Sequence, residues 1–130
     1  TTQLQVVAAR RHVTTGTYKP LIENYAAREV KPELQAVKDR LVKMTQMYVT
    51  AVEKVAATND STYSDFMARR LVEMAGDIVM SYLLLDDANR NDSFTASLHV
   101  YVNLTEAEIC KHADFIAKVT PAEMEYYKKA

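Results

Sequence analysis

The feature that most constrains the fold is a long stripe of apolar residues between positions 34 and 55. Its members follow one another at intervals of three and four residues, the spacing that places side chains on one face of an α-helix. Pro32, just before the stripe, suits a first helical turn, and the polar run 58–62 is typical of a loop. The pattern therefore predicts one long amphipathic helix with the buried positions Leu34, Val37, Leu41, Met44, Tyr48, Ala51 and Val55.

Two further segments of similar length follow. The second helix is predicted from about Tyr63 to Asn89, and Gly76 in its middle predicts a close helix crossing. Segment 93–119 continues with apolar positions, and whether it forms one kinked helix or two stays open. Its apolar side is predicted to include Phe94, Leu98, Ile109 and Ile116. The buried stripe of the second helix is predicted to be Met67, Leu71, Met74, Ile78, Tyr82 and Leu85.

The fold class predicted from these segments is all-α. Short polar junctions between long helices favour antiparallel neighbours, and 130 residues suit a single core. We therefore predict an antiparallel helical bundle of three long helices, with one or two shorter helices at its N-terminal side. A short tail from Met124 is predicted to begin at a capping box, Thr120 to Glu123.

The composition excludes several classes of protein. Sixteen Lys and Arg against seventeen Asp and Glu leave a formal net charge of −1, whereas a nucleic-acid groove needs a strong basic excess. No apolar run reaches the ~18 residues of a membrane-spanning helix. The single cysteine, Cys110, rules out an internal disulfide and favours a reducing compartment. We predict no nucleic-acid partner, no membrane span and a cytoplasmic location.

The reactive side chains within the chain are interpreted as structural. Glu108 and His112 share a helix face, but a di-iron bundle needs Glu/His pairs three residues apart on two helices, so a solvated face is favoured over a metal site. His99 is interpreted as a polar residue in a helix groove, and Cys110 as a buried or half-buried thiol. The methionines are predicted to pack in the core. We assign no catalytic residue and no metal ligand within the chain.

The N-terminal run carries a more specific signal. Residues 1–5 read Thr-Thr-Gln-Leu-Gln, and residues 9–13 read Ala-Arg-Arg-His-Val. This segment resembles one of the acyl-CoA dehydrogenase family, in which a Glu-Gly-Thr-Ser/Thr-Gln-Ile/Leu-Gln run leads into a helix that ends near an Ala-Arg pair. The chain starts at Thr1 without Met or a signal peptide. We therefore expect it to be a piece of a longer protein or a processed product.

The resemblance implies where a cofactor would be contacted. Thr1 and Gln3 match family positions that contact FAD, and Thr2 takes the small hydroxyl position between them. A hydroxyl and an amide at a helix start can hydrogen-bond phosphate, ribose or adenine edges. The family's catalytic Glu would fall just upstream of Thr1. The chain alone is therefore not expected to retain FAD or to turn over substrate.

The rest of the chain is similar to an extra helical domain that some longer members of the family carry. The resemblance implies that residues 1–16 are the end of the catalytic, FAD-contacting core and that residues 17–130 form a C-terminal helical bundle domain. The implied parent is an FAD-dependent oxidoreductase that introduces an α,β double bond into acyl-CoA thioesters and assembles as a homo-oligomer. The implied partner of this chain is the remainder of its own polypeptide.

Two other interpretations remain open. The first alternative is a stand-alone helical module for protein–protein interaction, which would bury its first helix well and expose an apolar patch elsewhere. The second is a bundle that binds a small ligand or a metal, which needs polar groups directed inward. The flavoenzyme interpretation predicts instead that Leu4, Val6 and Val7 pack on a catalytic core upstream of this chain.

Overall fold

The structure is a computed structural model that describes residue 20, residues 23–24 and residues 27–129. Within these residues every regular element is helical, which confirms the predicted all-α class. A turn of 3-10 helix precedes α1, a second joins α2 to α3, and a third leads into α4. The four α-helices are α1 (Gln35–Ala57), α2 (Ser61–Arg90), α3 (Thr95–Lys118) and the short α4 (Met124–Lys129).

The three long helices form one bundle, because each of them contacts the other two. Short junctions join them, so consecutive helices run antiparallel. All the stripe positions predicted for α1 and α2 are buried. From α3 the bundle buries Leu98, Val102, Ile109 and Ile116, at helical spacing. The predicted shorter N-terminal helices fall largely outside the described residues.

Side-chain caps fix the helix ends. Asp60 accepts a hydrogen bond from the Tyr63 backbone N–H at 3.0 Å, which begins α2. Asn59, just before it, has φ 50°, a left-handed conformation that Asn tolerates better than most residues. The predicted capping box is confirmed, since Glu123 accepts from the Thr120 backbone N–H at 2.8 Å. Such local caps keep the connections short.

The open question about segment 93–119 has a clear answer. Residues Thr95–Lys118 form one continuous helix. The Thr105–Glu108 run, which matches a capping box in sequence, lies inside that helix, and Thr105 is buried. A continuous α3 is long enough to pack along both other helices.

Three packing predictions were wrong. Gly76 is exposed, and a Cβ built on it would meet no atom of the described residues within 4 Å, so no close helix crossing occurs there. Met80 is half exposed rather than part of the core, unlike Met44, Met67 and Met74, which are buried. Phe94, expected on the apolar row of the third segment, is also exposed. All three lie outside the stripes that the long helices present to one another.

None of the helices in the described part combines the length and the apolar character that crossing a membrane requires.

Candidate functional site

The residues predicted to contact FAD are Thr1, Thr2 and Gln3. They lie outside the described residues, as do Leu4, Val6 and Val7. The assignment of these residues therefore stays a prediction. The described bundle has three local arrangements of polar or aromatic side chains that could serve a function.

The first arrangement is a polar cluster between α2 and α3. His112 of α3 is buried, and its Nε2 lies 3.2 Å from Oε2 of Glu73 on α2 and 3.8 Å from Oε2 of Glu108 on its own helix. Glu108 is exposed and pairs with Lys111 at 2.9 Å. The solvated-face interpretation is therefore correct for Glu108 and wrong for His112, whose ring packs between the helices.

Asp77 extends this cluster along α2. Partial burial is the main cause that raises the pKa of its carboxyl group, and the nearby Glu73 and Glu108 carboxylates raise it further. Two interactions lower the pKa of Asp77, namely its electrostatic interaction with His112 and its hydrogen bond with Tyr101. Burial likewise raises the pKa of the Tyr101 hydroxyl. The cluster thus places three carboxyl groups, those of Glu73, Asp77 and Glu108, around one imidazole ring.

The chemistry of the cluster is that of an interhelical contact. In the part of the chain that the structure describes, no group of three or more His, Cys, Asp or Glu side chains is arranged to hold a metal ion. The cluster includes no nucleophile beside a base. Sequence reasoning missed Glu73 and Asp77, although their spacing of four residues beside the second stripe was a usable signal.

The second arrangement is a groove of about 660 Å³ between α1 and α3. Lys54 lies in it and donates to the backbone carbonyl oxygens of Ile116 and of Ala117, the latter at 2.7 Å. Its ammonium group therefore caps the C-terminal end of α3. Cys110 also lines the groove and is exposed, which corrects its interpretation as a buried or half-buried thiol. His99 is exposed as well, not held in a groove.

The third arrangement is an aromatic cluster that holds α4 against the bundle. The rings of Phe66 on α2 and Tyr127 on α4 have centroids 4.8 Å apart, and Phe115 of α3 lies 6.1 Å from Phe66. The Arg70 guanidinium lies 4.2 Å from the Phe115 centroid, within the range of a cation–π interaction. This cluster connects three helices and is most simply structural.

The described elements define the class of fold, an all-α helical bundle. Every buried side-chain nitrogen and oxygen in the described part has a hydrogen-bond partner within the chain. These buried polar atoms therefore form hydrogen bonds that stabilise the fold.

Comparison with known proteins identifies the family. The family described as "Acyl-CoA dehydrogenase C terminal" matches residues 14–124. A solved structure, an acyl-CoA dehydrogenase family protein from Porphyromonas gingivalis, superposes with a TM-score of 0.82 at 43% identity, over 88% of this chain and 99% of that chain. A search of curated proteins finds no match. The chain belongs to the acyl-CoA dehydrogenase C-terminal domain family, as the N-terminal run suggested.

Proposed function

We propose that this chain is the C-terminal part of an FAD-dependent oxidoreductase of the acyl-CoA dehydrogenase family and that its bundle is an accessory, structural domain. The observation that carries the proposal is the family match over residues 14–124. It begins nine residues after the end of the Thr-Thr-Gln-Leu-Gln run at residues 1–5. The parent protein would remove hydrogens from the α and β carbons of an acyl-CoA thioester.

The proposed roles of the two parts of the chain follow from where the reactive groups lie. Residues 1–16 would be the end of the catalytic core, and residues 17–130 the added bundle. The bundle's buried polar groups are satisfied internally, which supports a scaffolding role. The catalytic Glu of the family would stand upstream of Thr1, so this chain alone would not carry out the reaction.

The donor chemistry of residues 1–3 fits FAD. Thr hydroxyls and a Gln amide can both donate and accept hydrogen bonds, which suits the phosphate, ribose and adenine edges of a dinucleotide. When bound, the flavin supplies the acceptor for a hydride. Thr1, Thr2 and Gln3 would bind and orient it from the cofactor's edge. Too few contacts lie in this chain for it to retain FAD alone.

The substrate, partners and location of the parent protein follow from the same proposal. Its substrate would be an acyl-CoA, its partners the upstream polypeptide and further copies of itself. A cytoplasmic location is supported by the single cysteine, Cys110, which suits a reducing compartment.

The test uses the uninterrupted gene product, purified and scanned for the visible absorbance of a flavin. We expect a yellow protein that bleaches when an acyl-CoA is added. Gln3→Ala should weaken flavin retention, whereas Gln5→Ala, the same change two residues along, serves as the matched control. A colourless product, or a chain that extends little beyond these residues, would refute the proposal and favour a stand-alone interaction module.

A further inference from the structure

We draw no further inference here: the strongest candidate, the groove between α1 and α3 that Met47, Ala51, Cys110 and Ile116 line, carries none, because the ammonium group of Lys54 already caps α3 and nothing in the part of the chain that the structure describes shows what would fill the groove.

Discussion

Nε2 of His112 on α3 lies 3.2 Å from Oε2 of Glu73 on α2. This contact joins the two helices through a buried ring. The imidazole also lies 3.8 Å from Glu108 on its own helix. One buried ring therefore lies close to carboxylates of two helices.

His112→Ala is expected to destabilise the 130-residue chain by about 1–3 kcal/mol. The substitution removes a buried ring and leaves Glu73 without its contact on α3. The measurement is urea unfolding followed by circular dichroism. Lys111→Ala is the control, because it removes only the exposed pair with Glu108, worth about 0–1 kcal/mol. Equal effects of the two changes would contradict a role for the buried contact.

Asp77→Asn is expected to stabilise the protein at neutral pH. Burial and the carboxylates of Glu73 and Glu108 raise the pKa of Asp77, while His112 and Tyr101 oppose them. A raised pKa in the folded state means that the fold favours the protonated carboxyl group, so stability from this group is present at low pH and lost as pH rises. An amide imitates the protonated form, and we expect a gain of less than about 1 kcal/mol.

The pH dependence of the free energy of unfolding tests this prediction. The gain from Asp77→Asn should shrink as pH falls and disappear below about pH 4, where Asp is protonated in the unfolded chain as well. Asp114→Asn is the matched control, since Asp114 is exposed and its ion pair within the described residues is with Lys118 on the surface. A gain that is constant from acid to neutral pH would show that the charge of Asp77 is not its cause.

The core of this fold was predictable because burial in a bundle follows helical spacing. Leu41, Ile78 and Ile116 each occupy positions that a heptad pattern assigns to the interior, and all are buried. Nothing beyond sequence separation is needed for that assignment. The same local information supplied the Thr120 capping box.

The polar cluster was harder to predict, because it depends on how α2 and α3 are aligned. Glu73 meets His112 only because these two helices pack with that particular register. The prediction for Gly76 failed because a mid-helix glycine need not mark a close approach, and here the glycine is exposed with open space beside it. The predicted FAD contacts at residues 1–3 stay a prediction, because these residues lie outside those that the structure describes.

Tyr63→Phe is expected to cost about 1 kcal/mol. The Tyr63 ring is fully buried, and its hydroxyl donates to the backbone oxygen of Val119 at 2.7 Å, with that of Ile116 at 3.2 Å. These carbonyl groups lie at the C-terminal end of α3, where no intrahelical donor remains. Tyr126→Phe, on an exposed ring, is the control. Loss of stability should appear in the first variant alone, measured by chemical unfolding.

Leu41→Ala tests the core that the heptad pattern predicts. Leu41 is fully buried in the second turn of α1, and α1 contacts both other long helices. Removing most of its side chain forfeits transfer free energy and leaves a cavity, which together cost about 2–5 kcal/mol. Leu104→Ala is the matched control, because Leu104 is 65% exposed and its truncation should change the free energy of unfolding by less than about 0.5 kcal/mol. Urea titration separates the two, with an unchanged m value showing that the denatured state is the same. Equal losses at the two leucines would mean that the stripe containing Leu41 does not face the interior.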